Sequence, residues 1–252
     1  MNEILQVATF AGQIILENGG ETYRVEETIW RICKAFGANE AESFVTPTGI
    51  MASICHNGET YSLIKRVSNR TVDLDKIDLV NDLSRNILLK NLSVNDFKKE
   101  LQKINKGKRY STGITLLFSA LGAAGFTILF GGNIKDFVSA FIIGFIIKLL
   151  SIKGSDMQIN QFFINSLTGG IAAFLALLFV KINLASNLDQ TIIGSIMLLV
   201  PGLAITNAIR DTIAGDLLSG LTRAAEAFLI AVSIAVGSGA VLSFWISYIG
   251  GI

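Results

Sequence analysis

The sequence predicts an α-helical membrane bundle of about five helices preceded by a small soluble α/β domain. Three observations predict it. Residues 1–110 hold 15 Lys/Arg and 14 Asp/Glu, whereas the remaining 142 residues hold only 12 charged residues. That charge-poor part contains five long apolar stretches. Within the charged part, amphipathic helical segments flank a run in which apolar stretches alternate with turn formers. The expected domains are therefore 1–110 and 111–252.

The opening residues, MNEILQVATFAGQIILENGG, carry Glu3 and no basic flank, so they do not read as a secretory signal. Ile4, Leu5, Ala8, Ala11 and Ile15 recur at helical spacing, as in a core helix or one lying along a surface. A second amphipathic helix is expected over 21–36, with Val25, Ile29, Ile32 and Phe36 on one stripe and Gly37 as its stop. The run SFVTPTGIMASICHNGETYSLIKRV then reads as three strands. Asn57-Gly58 is the stronger hairpin signal, because a type I′ turn needs positive φ at both central residues; Thr46-Pro47-Thr48-Gly49 is the weaker turn. Two helices follow, over 75–90 and 93–106, opened by Asp75 and Ser93 as caps.

The apolar stretches run over about 113–132, 134–150, 161–181, 190–209 and 224–249. A helix needs roughly 20 apolar residues to cross a hydrocarbon core of ~30 Å. The second stretch is short and has Lys148 near its end, from where the ammonium can reach the interface. Basic residues flank the stretches unequally. Lys98, Lys99, Lys103, Lys106, Lys108, Arg109, Lys148, Lys153, Arg210 and Arg223 fall on one side, against Lys135 and Lys181 on the other. That asymmetry places the N-terminal domain in the cytoplasm and, after five spans, the C-terminus outside, with Trp245 and Tyr248 as outer anchors.

Small residues are frequent in the spans: Ser119, Gly122, Ala123, Ala124 and Gly125; Gly169, Gly170, Ala172 and Ala173; Gly237, Ser238, Gly239 and Ala240. Such residues let helices approach closely in lipid. Polar groups at depth are more telling. Asn165 and Thr168 lie in the third stretch, and Pro201-Gly202 interrupts the fourth, freeing a carbonyl one turn earlier. Broken helices are tolerated only against protein or a water-filled cavity, the setting in which transporters hold their substrates. Beyond the break come Asn207, Arg210, Asp211, Asp216, Arg223 and Glu226. Two readings stand side by side. These residues mark a connecting loop with Arg223 and Glu226 paired at i, i+3, or DTIAGDLLSGLT forms a short helix in the bundle mouth. In the second reading Arg210 is a bidentate clamp for a carboxylate, and the acids hold it or carry a proton.

Several chemistries find little to work with. The net charge of +1 speaks against a nucleic-acid partner. Cys33 and Cys55 match no metal or redox spacing and His56 is the single histidine, so no metal or cofactor is expected. No phosphate-binding G-x(4)-GK-[ST] loop occurs, which leaves direct ATP use without a site.

The segments GGETYRVEETIWRICKAFG, FVTPTGIMASI and LLVPGLAITNAIRDTIAGDLLSGLTRAAEAFLIAVSIAVGSG resemble the threonine/serine exporter family. The likeness is nearest the larger subunit of its two-component form and covers about residues 10–240. Its paired motifs are TPTGI and PG-x(4)-N-x(2)-RD-x(3)-GD-x(3)-G-x(2)-R. The resemblance implies a multi-pass protein of the cytoplasmic membrane that is no enzyme and exports small hydroxyl amino acids or, in some two-component members, succinate-type dicarboxylates. It also implies a second membrane protein of four to five spans as partner, and a homo-oligomer is a further option. By motif it points to Pro201, Gly202, Asn207, Arg210, Asp211, Gly215, Asp216, Gly220, Arg223 and Glu226 for substrate binding or gating. In the soluble part it points to Gly20, Arg24, Glu26, Thr46, Pro47, Thr48 and Gly49. The reading of another class is a membrane-anchored hydrolase using Thr46, Thr48 or Ser53 with His56 as base, although G-x-S-x-G is absent. A pocket for two carboxylates would call for a second cation at depth, and the only spare candidate, Lys148, stands near the end of its stretch, which leans the substrate towards an amino acid.

Overall fold

The structure, a computed structural model, describes every residue except 108–109 and 251–252. Lys108 and Arg109 of the basic flank therefore lie outside the described residues. The chain opens with α1 (Asn2–Glu17) and α2 (Thr22–Ala35), followed by strands β1 (Glu40–Thr46), β2 (Gly49–His56) and β3 (Glu59–Arg66), then α3 (Leu74–Arg85) and α4 (Val94–Lys106). The strands form an antiparallel sheet in the order β1-β2-β3. Its register is set by two tight turns: Thr46 pairs with Gly49 across Pro47-Thr48, and His56 pairs with Glu59 across Asn57-Gly58. Asn57 and Gly58 have φ of 53° and 80°, the backbone that the Asn-Gly pair predicts.

Of the two settings open to α1, the structure takes the central one. Leu5, Ala8, Ala11, Ile14 and Ile15 are fully buried, and α1 packs on α2, α3, α4, β2 and β3. The sheet contributes Val45, Ile50, Ala52 and Ile54 to the same core, and α4 contributes Phe97 and Leu101. One cap differs from expectation. Asp73, not Asp75, caps α3, its carboxylate accepting from the Lys76 amide at 3.3 Å. A cap must precede the first helical residue to meet an amide three positions on; Asp75 falls inside the first turn, and the helix ends at Arg85.

The apolar half forms α5 (Thr112–Leu129), α6 (Ile134–Asp156), α7 (Gln161–Lys181), α8 (Leu188–Ile196), α9 (Gly202–Ala214) and α10 (Leu217–Tyr248). Among the described residues α5, α6, α7 and α10 are long and apolar enough to cross a membrane. The stretch expected as a span over 190–209 is divided. α8 ends at Ile196, residues 197–201 turn, and α9 begins at Gly202, because Pro201 cannot donate an amide to continue the α8 ladder.

The compact units do not follow a single cut near residue 110. One comprises Met1–Lys108 together with Gly202–Glu226; the other comprises Arg109–Pro201 and Ala227–Ile252. α10 is a helix of 32 residues. Its apolar part, 227–248, spans ~33 Å at ~1.5 Å per residue, the thickness of a hydrocarbon core.

Within the second unit the small residues sit at helix crossings. A Cβ at Gly144 of α6 would stand 2.6 Å from that of Ala123 on α5, and one at Gly237 of α10 only 1.8 Å from the Ser166 carbonyl on α7. Gly239 faces open space, so the small-residue run of α10 is used on one side only. Short α8 packs against α5, α6 and α7. Trp245 packs edge-on against Phe174, and the Lys181 ammonium lies 5.5 Å from its ring centre.

Candidate functional site

The motif residues of the first unit converge where the N-terminus of α2 meets the elbow between α9 and α10. On α9, Asn207, Arg210 and Asp211 stand at i, i+3 and i+4 and share one face. Gly215, with φ +97°, makes the left-handed turn that ends α9. Gly220 lets α10 fold back on it: a Cβ there would lie 2.9 Å from the Ala208 carbonyl. The glycines at x(3) spacing in the motif are therefore geometric requirements of the elbow.

The elbow grips the start of α2. The Thr22 amide donates to Asp211 Oδ1 at 3.2 Å and the Thr22 hydroxyl to Asp216 Oδ2 at 3.2 Å. Asp211 thus places its negative charge at the electropositive end of α2. Asn207 Nδ2 donates to the Gly19 carbonyl and Arg223 Nη2 to the Gly20 carbonyl, both at 2.8 Å. Glu21 holds two arginines, Arg24 at 2.8 Å and Arg210 at 2.5 Å. Arg223 and Asp211, both buried, approach to 3.0 Å without the alignment of a hydrogen bond. Arg70, which no sequence pattern singles out, forms a bidentate pair with Glu226 at 2.9 and 3.0 Å. Glu26 accepts from the Val45 amide at 2.9 Å, and Ser219 of α10 donates to the Val45 carbonyl at 3.2 Å.

Eight predicted residues are thereby gathered at one place: Arg24, Glu26, Asn207, Arg210, Asp211, Asp216, Arg223 and Glu226. Residues 210–226 are helical apart from the elbow at 215–216, so the loop reading is corrected, and Arg223 and Glu226 do not pair with each other. The Thr46–Gly49 turn follows directly on Val45, and the Thr46 hydroxyl bonds within the turn to the Gly49 carbonyl. Gly202 opens α9, whereas Pro201 belongs to the other unit. Glu21, Thr22 and Arg70 escaped the sequence reading. The first two lie inside the quoted GGETYRVEE motif, which was the available signal.

Each arginine of the cluster already faces a protein carboxylate, and Arg210 alone is largely open, its side chain 54% exposed. Burial pushes the Glu21 carboxyl up, but Arg24 and Arg210 outweigh it and hold the group below its ordinary value. Glu26 moves the other way: burial raises it, the Val45 amide only partly offsets this, and Asp216 and Asp211 add to the rise. Burial also raises Asp211, with Arg223 and Thr22 pulling it back. The site thus combines fixed ion pairs with two carboxyl groups, Glu26 and Asp211, that burial holds above their ordinary values.

The expected result of Glu26→Gln is a gain in stability at neutral pH. A carboxyl whose folded value is raised contributes stability below its ordinary value of 4.5 and loses it as pH rises through the raised value. Glutamine keeps an acceptor for Val45 and removes the repulsion with Asp211 and Asp216. Thermal unfolding should rise by about 2 °C at pH 7, the scale of less than 1 kcal/mol in a chain of this size, with no gain below pH 4.5. Glu21 has the opposite dependence, but it is common to both proteins and cancels. An equal gain at both pH values would assign the effect to packing.

The geometry gives the hydrolase reading no nucleophile–base pair. Thr46 and Thr48 stand at the end of β2 remote from His56, and Ser53 and His56, three apart on a strand, point to opposite faces. Among the described residues no three His, Cys, Asp or Glu side chains converge as a metal site.

Long apolar helices attached to a small α/β unit define a multi-pass membrane protein. The chain belongs to the threonine/serine exporter family: the family model described as "Putative threonine/serine exporter" matches residues 6–245. It is 25% identical to the "Probable succinate transporter subunit YjjP" of Klebsiella aerogenes, over 92% of this chain and 90% of that protein. The protein of the same name from Escherichia coli K12 is also 25% identical, over 93% and 91% of the two chains. The "Probable threonine/serine exporter" of Mycobacterium tuberculosis is 21% identical over 93% of this chain but only 45% of its own length. No solved structure matches the chain.

Proposed function

We propose that the chain is the larger subunit of a secondary exporter that moves small carboxylate-bearing metabolites of the threonine/serine type out of the cell. The observation that carries this reading is the buried charge network at the head of a membrane-length helix. α10 bears Ser219, Arg223 and Glu226 on its first turns and continues without interruption into its apolar part. A change in the charge state of Glu26 or Asp211 therefore acts on the end of a spanning helix, which is what gating by a proton requires. Arg210, paired with Glu21 yet open to solvent, is the cation that an arriving substrate carboxylate meets first.

A partner completes the transporter. Two relatives are named as subunits, and the exporter from M. tuberculosis is more than twice the length that this chain matches. Both facts support a second membrane protein of four to five spans. The basic flanks support a cytoplasmic N-terminal domain. With α8 and its turn as a short fifth crossing, the C-terminus lies outside. Succinate-type dicarboxylates are the alternative cargo, favoured by the names of two relatives.

The test is export of labelled threonine, serine and succinate from cells carrying this chain with and without the small membrane protein proposed as its partner. Export of one substrate is expected only from the pair, and Arg210→Glu should lower it about tenfold or more at an unchanged protein level. If the pair exports nothing, the exporter reading fails. If Arg210→Ala exports normally, export stands and the arginine has no part in it.

A further inference from the structure

The second unit contains a cavity of ≈ 220 Å³ at the break after α8. Lys148 and Ser151 of α6, Gln161 and Asn165 of α7, and Leu198 and Pro201 of the break line it. The apolar stretch of α6 suggests that Lys148 sits at a helix end, but α6 continues to Asp156. Eight residues of helix, ~12 Å, separate Lys148 from that end. Its ammonium makes no ion pair or hydrogen bond among the described residues. Asn165 is 4% exposed; its Oδ1 accepts from Gln161 Nε2 at 2.9 Å, and among the described residues its Nδ2 donor has no partner. An unpaired cation and an unused amide donor lining one cavity call for an anion.

The break supplies groups of the other sign. Leu198, Leu199 and Pro201, from the turn after α8, line the cavity, so the backbone of the helix break borders the space. Pro201 has no amide to satisfy a carbonyl one turn earlier. These groups attract an ammonium. The volume lies below the ~300–1,000 Å³ of drug-sized pockets, as suits a metabolite of a few carbons.

We propose that this cavity binds a small zwitterionic amino acid, with its carboxylate on Lys148 and Asn165 and its ammonium at the backbone carbonyls of the turn after α8. The assignment rests on the exporter reading and sharpens it, since it selects an amino acid over a dicarboxylate. The second carboxylate of succinate would meet the carbonyls of that turn, and no second cation is among the lining residues.

The experiment measures binding of labelled threonine and labelled succinate to the purified full chain in lipid nanodiscs, for the parent, Lys148→Met, Lys148→Arg, Asn165→Ala and Lys153→Met. Methionine suits an apolar helix better than lysine, so the Lys148→Met chain keeps its fold; elution as the parental species checks this. Threonine binding is expected to weaken about tenfold or more in Lys148→Met, the scale of a charge-assisted contact, and less in Lys148→Arg and Asn165→Ala. Lys153→Met, whose exposed side chain does not line the cavity, should bind as the parent does. Equal binding by Lys148→Met and the parent overturns the site, as does a parent that binds neither probe or prefers succinate. Export by the pair is scored separately: export that continues with an unchanged KM in Lys148→Met removes the site and spares the exporter. Threonine binding that needs Lys148 in a pair that exports nothing does the reverse.

Discussion

Arg223→Met is expected to cost about 3–5 kcal/mol, the scale of breaking a buried ion pair from one side. The Arg223 and Asp211 side chains are 6% and 0% exposed, so neither can trade its partner for water. Without the guanidinium, Asp211 keeps the Thr22 amide but loses the cation that offsets its burial, with the Asp216 carboxylate still nearby. The Gly20 carbonyl loses its donor as well, and with it one of the bonds that tie α10 to the start of α2. Thermal unfolding of the purified chain in detergent should move down by several degrees, and export by the pair should fall with it. Asp211→Asn added to Arg223→Met removes the stranded charge and should recover part of the loss. If the double variant is no more stable than the single one, burial of the charge is not the origin of the effect and the lost packing of the arginine stem is.

The same pair shows where the sequence stops being legible. Helical periodicity and turn chemistry identify α1, α2, the three strands and the apolar helices, because those signals act between residues a few positions apart. Asn57-Gly58 names its own turn, and Pro201 names its own break. The residues 210–226 could be recognised as unusual, but their partners could not. Arg210 meets Glu21 at a separation of 189 residues, and Arg70 meets Glu226 at 156. With those partners hidden, charges at the edge of an apolar stretch look like a solvated connection, and the apolar stretch alone, from about 224, does not reveal that α10 starts at Leu217. Ion-pair neutralisation inside the first unit lets the helix begin two turns earlier. Lys148 is misjudged for a related reason: hydropathy ends with the apolar run, whereas the backbone of α6 continues through Ser151, Lys153 and Asp156.

Asp136→Ala is expected to be as damaging as loss of Arg223, and nothing about Asp136 in the sequence announces it. The side chain is fully buried at the start of α6 and accepts four hydrogen bonds. The Asn133 amide donates at 2.9 Å in a reciprocal capping box, and the Ser186 and Asn187 amides donate at 2.7 and 2.9 Å. The Asn187 side-chain amide adds a fourth at 2.7 Å. Among the described residues the carboxylate is the one acceptor of three backbone amides, two of them in the turn that leads from α7 into α8. Each buried donor left without a partner costs about 1–3 kcal/mol, so alanine should cost at least ~3 kcal/mol and loosen the entry to α8. Asp136→Asn is the informative companion. Its Oδ1 can still accept, but its Nδ2 would face amide donors, so it should recover less than half of the loss. Thermal unfolding ranks the three proteins, and hydrogen exchange at Ser186 and Asn187 locates the change. Protection there that survives Asp136→Ala would mean that water or the Asn187 side chain replaces the carboxylate. The short helix at the broken span would then owe its position to packing on α5, α6 and α7 alone.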